Sequence, residues 1–214
     1  MTLHATRTSY DTVAADYASL LADELAAKPL DRAMLGAFAE HVRAGGGGAV
    51  ADLGCGPGRV TAHLRDLGLS AFGVDLSPGM VAEARRRHPG LRFEVGTMSA
   101  LDLADGSLGG VLAWYSLVHT PPQELGAYVA EFHRVLAPGG HLLIAFKAGG
   151  DESVRLEHAY GHAVDLDVYR FDPERVAGLL VGAGFEVGAR LVRVAEPGER
   201  TSQAFLLARR RSGG

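Results

Sequence analysis

The run Val50-Ala51-Asp52-Leu53-Gly54-Cys55-Gly56-Pro57-Gly58-Arg59 carries the strongest chemical signal in the chain. A short apolar stretch, readable as a buried strand, feeds three glycines at alternate positions and then a helical pattern. Glycines there remove the Cβ atoms that would hold a ligand away from the backbone, and they permit positive φ. One strand further on, Asp75 ends Phe72-Gly73-Val74-Asp75-Leu76-Ser77, where a carboxylate can hydrogen-bond a ribose diol. The pair predicts a ribose-containing cofactor. A dinucleotide fingerprint requires Gly-x-Gly-x-x-Gly/Ala, but Arg59 occupies the sixth position and fits close helix packing poorly. Asp52 at the mouth of the loop would repel a diphosphate and suit a cofactor carrying an ammonium group. A nicotinamide-dependent oxidoreductase is the less favoured alternative.

A second group of chemical side chains lies in Trp114-Tyr115-Ser116-Leu117-Val118-His119-Thr120-Pro121-Pro122. As a neutral imidazole, His119 is the leading candidate for a general base. Tyr115 is expected on the reacting face, and Ser116 is expected to hydrogen-bond cofactor or acceptor. His158 and His162 stand four residues apart in a segment rich in Gly, His and acids, a spacing that could hold a metal if the segment were helical. Without a third convergent ligand no metal is expected, and His158, His162 and Tyr169 are read as acceptor contacts. Arg170 could fix an acidic group of the acceptor or form an ion pair with Glu174. Cys55 has no neighbouring base, so a cysteine nucleophile is excluded. Ser116 and His119 lack an acid partner and a nucleophile-elbow pattern, which disfavours a hydrolase.

The elements that position these residues follow from hydrophobic period. Residues 10–42 read as helical, split at Pro29. After the glycine run 45–48, short apolar runs near 49–53, 71–74, 91–95, 110–114 and 141–146 alternate with helical patterns at 59–67, 78–88 and 122–136. Such alternation predicts a parallel sheet covered on both faces. Residues 148–169 break the rhythm as a candidate lid. A helix from Asp172 to about Ala183 and strands at 185–194 and 201–209 follow, the last two joined by a short turn and therefore antiparallel. The expected organisation is a helical cap at 1–44 and an α/β core at 45–214 with a lid-like insertion at 148–171.

Composition narrows the partners. With 21 Lys+Arg against 25 Asp+Glu, no basic stripe beyond Arg85–Arg87 and Arg209–Arg211, and no long apolar run, the chain predicts neither a nucleic-acid nor a membrane partner. A single cysteine suits a reducing cytoplasm, and the expected state is a monomer or homodimer.

Asp52-Leu53-Gly54-Cys55-Gly56-Pro57-Gly58 and Asp75-Leu76-Ser77-Pro78-Gly79-Met80 resemble the first two motifs of the class I S-adenosylmethionine-dependent methyltransferases, in particular their small-molecule branch. Tyr10-Asp11-x-x-Ala14-x-x-Tyr17 is similar to that family's N-terminal aromatic motif. Arg134-Val135-Leu136-Ala137-Pro138-Gly139-Gly140 is similar to the turn before its fifth strand. The resemblance spans nearly the whole chain and implies a Rossmann-like, doubly wound seven-stranded sheet, mostly parallel with an antiparallel final strand. It also implies S-adenosylmethionine as cofactor and a small organic acceptor methylated at oxygen or nitrogen. Asp52 and the Gly54-Cys55-Gly56 backbone would receive the methionyl end, with Tyr17 closing over it. Asp75 would receive the ribose, and Leu76 and Met80 the adenine faces. In Gly96-Thr97-Met98-Ser99 the Met98 amide would meet adenine, while Thr97 stands where the family often carries an acid. A cofactor-binding homologue without methyl transfer, regulatory or cyclase-like, is the other alternative.

Overall fold

The computed structural model describes residues 3–212. An α-helix, α1 (Leu3–Leu20), is followed by a 3₁₀ turn and α2 (Pro29–Ala44). The chain then alternates through β1 (Ala49–Leu53), α3 (Arg59–Asp66), β2 (Ser70–Asp75), α4 (Pro78–Arg87), β3 (Phe93–Val95), β4 (Leu108–Trp114), α5 (Leu125–Val135) and β5 (Leu136–Lys147). A hairpin of β6 (Ser153–Ala159) and β7 (His162–Tyr169) precedes α6 (Pro173–Gly182), β8 (Phe185–Arg193) and β9 (Gln203–Arg210). Seven strands form one sheet in the order β3-β2-β1-β4-β5-β9-β8, while β6 and β7 form a separate two-stranded sheet. Strands β1 to β5 pair in parallel and β9 runs antiparallel to both β5 and β8. This is the expected doubly wound sheet with a reversed final strand. Its switch point lies between β1 and β4, where the connections leave in opposite directions.

Period-two side chains make both faces apolar, as strands buried on two sides require. Val111 and Ala113 of β4, Leu142, Ile144 and Phe146 of β5, and Ala204 and Leu206 of β9 face α5 and α6. Their neighbours Leu112, Leu143, Ala145, Phe205 and Leu207 face α2 and α3. Leu35, Phe38, Ala39 and Val42 build α2 into that second face, whereas α1 leaves the sheet and crosses its carboxyl edge to α4 and β7.

Two expectations change. The break in rhythm at 148–169 is an ordered hairpin, in which Val154 pairs with Val168 and Leu156 with Leu166. Its turn is Tyr160-Gly161, both at positive φ (54° and 83°), as a two-residue turn of the I′ kind requires. Second, the α5 helix starts at Leu125 rather than Pro122, because Pro121 to Glu124 close a turn of their own through the Glu124 amide and Pro121 carbonyl (2.8 Å).

Candidate functional site

The glycine loop does what its composition demands. Gly54, Gly56 and Gly58 have φ of 72°, 54° and 81°, and the loop folds back so that the Gly54 amide donates to the Val74 carbonyl at 2.7 Å. A Cβ on Gly54 would stand 2.3 Å from Ser116 Cβ, so β1 and the end of β4 meet at van der Waals contact only because that position is bare. Cys55 turns away beneath the loop, buried with Val81, Ala84 and Phe93.

Asp75, at the end of β2, is buried and holds the loop's shape. One carboxylate oxygen accepts from the Gly56 amide at 2.8 Å and the other from the Ser77 amide at 2.9 Å. Burial raises its pKa, against the lowering by those amides. Asp52 is buried one strand away and accepts from the Thr61 hydroxyl of α3 at 2.6 Å. Burial pushes its pKa up to about 7, with Thr61 and Arg59 opposing. Asp52 opens on a crevice of about 30 Å³ shared with Tyr17, Gly54, Gly56 and Trp114. Thr61, the partner that tunes Asp52, was not singled out in the sequence. Its place three residues beyond Gly58, on the first turn of a helix facing β1, is the signal that could have found it.

Above the loop lies a slot of about 110 Å³. It brings together Tyr17, Gly54, Gly56, Asp75, Leu76, Met80, Thr97, Met98, Tyr115, Ser116 and His119, from five separate stretches of chain. Ser116 Oγ is buried there without a hydrogen-bond partner, a polar atom that awaits a ligand group. The Thr97 hydroxyl lies 2.8 Å from that of Ser99, and Ser99 itself stands outside the slot. Tyr115 has φ 55°, an uncommon conformation for a bulky residue. Its ring packs edge-on against Trp114 and Phe205 and borders the slot, with its hydroxyl 3.5 Å from Asp31; burial raises its pKa.

A larger chamber of about 630 Å³ adjoins the slot, and Tyr10, Tyr17, Tyr115 and His119 border both. The hairpin and α1 roof it. Ser9 and Asp165 exchange hydrogen bonds through the Ser9 hydroxyl, and His162 Nε2 meets Asp16 at 2.7 Å. The Tyr17 and Tyr160 rings stack edge to face at 4.9 Å. Asp11 ties α1 to α4 by accepting from the Ser77 hydroxyl and the Gly79 amide.

His119 sits on a 3₁₀ turn after β4. Its Nδ1 faces the Asp167 carbonyl at 2.7 Å and its Nε2 the Tyr10 hydroxyl at 2.8 Å. A carbonyl only accepts, so Nδ1 carries the proton and Nε2 is left as an acceptor. Burial lowers its pKa, against the raising effect of Asp167, which favours the neutral ring.

The insertion residues divide. His158 and His162 flank the hairpin turn on opposite strands, so their helical spacing does not exist. Among the described residues no cluster of three or more His, Cys, Asp or Glu side chains is placed to hold a metal. Arg170 borders the chamber and pairs with Glu152 rather than Glu174, which pairs with Arg190. Neither His158, His162 nor Tyr169 borders the slot or the chamber. Arg59, at the disputed sixth position, pairs with Glu24 at 2.6 Å. Among the described residues no helix is long and apolar enough to cross a membrane.

Residues 50–140 match the family model of a methyltransferase domain. The chain is 36% identical over 136 residues to a demethylmenaquinone methyltransferase from Beutenbergia cavernae, covering 64% of this chain and 55% of that protein. It is 33% identical over 137 residues to a malonyl-[acyl-carrier protein] O-methyltransferase from Pseudescherichia vulneris, covering 63% and 53%. The chain thus spans about half the length of these curated relatives. Among solved structures it is similar to a 1,6-didemethyltoxoflavin-N1-methyltransferase from Burkholderia thailandensis with bound S-adenosylhomocysteine, with TM-score 0.73 and 25% identity over 97% of this chain and 88% of that one. Its glycine loop, its acid after the second strand and its reversed final strand make the chain similar to the class I S-adenosylmethionine-dependent methyltransferases, and the match to the methyltransferase-domain model covers residues 50–140.

Proposed function

We propose that this protein transfers the methyl group of S-adenosylmethionine to an oxygen or nitrogen of a small organic acceptor held in the roofed chamber. The observation that carries this reading is the shared wall. A narrow slot over the glycine loop adjoins a wider chamber across Tyr10, Tyr17, Tyr115 and His119, so a methyl group at that boundary would face the acceptor. The relatives are named for acceptors as different as demethylmenaquinone, a malonyl group on acyl-carrier protein and 1,6-didemethyltoxoflavin, which supports an organic acceptor without choosing one.

The bound cofactor would supply an activated methyl on sulfur, displaced in line as the acceptor–carbon bond forms and the sulfur–carbon bond breaks. The protein contributes alignment and exclusion of water. Asp75 and the loop amides hold the ribose and methionyl parts, Leu76, Met80 and Met98 contact adenine, and the unpartnered Ser116 Oγ takes a polar group of cofactor or acceptor. His119 receives the acceptor's proton at Nε2 once the acceptor displaces the Tyr10 hydroxyl. On this assignment His119→Ala lowers turnover roughly 100-fold or more, with little change in S-adenosylhomocysteine affinity. An equal loss in both would reduce His119 to a latch between α1 and β7.

Asp52 gives a second expectation. Because its carboxyl titrates near 7 in the folded protein, it is protonated below that pH, and an ammonium beside it prefers the ionised form. S-adenosylhomocysteine affinity should therefore fall as pH drops below about 7, approaching roughly tenfold per unit. Stability of the free protein runs the other way. Between about pH 4 and 7 the folded state holds a proton that the unfolded chain has released, so this group's contribution is best at the acid end and is lost as pH rises. Calorimetric titration across roughly pH 5.5–8.5 checks the first, and Asp52→Asn should flatten the profile.

The test of the reading itself is titration with S-adenosylmethionine and S-adenosylhomocysteine, with reduced nicotinamide dinucleotide as control. Incubation with phenols, amines and carboxylic acids follows, scored by mass spectrometry for methylated acceptor and demethylated cofactor. Failure of the sulfur ligands to bind folded protein would end the reading.

A further inference from the structure

The chain contains two lysines, Lys28 and Lys147, and both border the larger chamber. Their circumstances differ. Lys28 donates to Glu196 and Glu199 at 2.7 Å each. Most other charges of the chamber wall are likewise matched: Arg59 by Glu24, Arg170 by Glu152, and Asp31 and Glu199 by the buried Arg193. Lys147, at the carboxyl end of β5, has no acidic side chain and no hydrogen-bond acceptor against it among the described residues. It is half-buried, and the nearest charges acting on it are mostly of its own sign.

Burial lowers the Lys147 pKa, and Arg170 and Arg200 lower it further, with Glu199 acting in the opposite sense. Lys147 and His119 both line the chamber, and the Lys147 charge contributes to holding His119 below its ordinary value. Across the chamber the hairpin presents Val154, Leu156, Leu166 and Val168, two cross-strand pairs facing inward. The chamber wall therefore carries at Lys147 a cation with no ion-pair partner of its own, Glu199 being engaged by Lys28 and Arg193, and the hairpin side is apolar.

We propose that the chamber is shaped for an acceptor that carries an anionic oxygen group at one end, received by the Lys147 ammonium, and an apolar body lying under the hairpin. This rests on reading the chamber as the acceptor's. A partly desolvated cation gains most from a ligand that brings the missing opposite charge, because it has no internal partner to give up. Binding of such an acid also sets the rest of the molecule toward His119 and the mouth of the slot.

The test uses the full chain saturated with S-adenosylhomocysteine and three probes of one shape: benzoate, phenyl phosphate and the uncharged benzamide. Saturable binding of one or both anions, stronger than benzamide and weakened roughly tenfold or more by Lys147→Met, is the expected result. Lys147→Arg should retain most of the affinity. Benzoate outranking phenyl phosphate would assign a carboxylate, and the reverse a phosphate. No anion preference over benzamide, or anion binding unchanged in Lys147→Met, would overturn the proposal. Cofactor affinity, measured beforehand on each variant, reports folding and the cofactor slot separately. Loss of S-adenosylhomocysteine binding in the unaltered protein would sink the methyltransferase reading, while the Lys147-dependent binding of anions would still be decided.

Discussion

Asp75→Ala is expected to weaken S-adenosylhomocysteine binding by roughly 100-fold or more while the sheet stays folded. Each carboxylate oxygen already accepts one backbone amide, from Gly56 and Ser77, and each has a second lone pair. Those remaining sites open on the slot, where two ribose hydroxyls would make charge-assisted bonds of about 1.5–3 kcal/mol each. Removing the carboxylate loses them and also frees the Gly56 amide, so the loop that should meet the methionyl end loses its anchor. Asp75→Asn separates the two effects, because its amide oxygen can still accept from one backbone group while one acceptor becomes a donor. Calorimetry on both variants, with thermal unfolding alongside, decides the matter. A lower unfolding temperature with unchanged cofactor affinity would mean that Asp75 serves only the turn.

Gly54→Ala is expected to damage the protein more than the same change at Gly56. Both have positive φ, so both variants bear the left-handed penalty of about 1–2 kcal/mol. At Gly56 the added methyl would meet only Tyr17 Cε1, at 3.8 Å. At Gly54 it would lie 2.3 Å from Ser116 Cβ and 3.0 Å from Met98 Cε, adding an overpacking cost of about 1–3 kcal/mol. The combined loss is a large fraction of an ordinary domain stability of about 5–15 kcal/mol, and relief of the clash would push Ser116 and Met98 into the slot. A lower unfolding temperature for Gly54→Ala than for Gly56→Ala, with cofactor binding abolished in the former, is the expected pattern. Equal behaviour would show that conformational strain alone governs the loop.

The sheet and the cofactor slot were legible because each rests on a local pattern. Short apolar runs alternating with helical patterns placed the strands, and three glycines after β1 placed the loop. The hairpin at 153–169 was harder to see, although Val154, Leu156, Leu166 and Val168 alternate as a half-buried pair of strands should. Its turn carries Tyr160 where Asn or Asp would announce a type I′ bend, so the turn signal was muted. Tyr160 tolerates that position in contact with Tyr17, a tertiary reason that no local window contains. The pairing of Arg170 with Glu152 was missed for the same reason, since a hairpin brings distant residues alongside one another. The cluster of Lys28, Asp31, Arg193 and Glu199 joins residues more than 160 positions apart. Only the packed sheet and its final strand bring them together.

The helix α1 has a consequence for how local stability is distributed. It buries only Ser9, Val13, Ala14 and Ala18, and its ties to β7 join residues 146 and 156 positions apart, largely through polar groups at the rim. The two large apolar clusters belong to the sheet and the helices laid on it, and α1 contributes to neither. An element with so little apolar anchorage can detach as its own cooperative unit at a free-energy cost well below that of global unfolding. Amide hydrogens of α1 would then exchange through partial opening, while those of β1, β4 and β5 wait for the whole molecule to unfold. Access to the reaction space and integrity of the scaffold are thereby assigned to different parts of one chain.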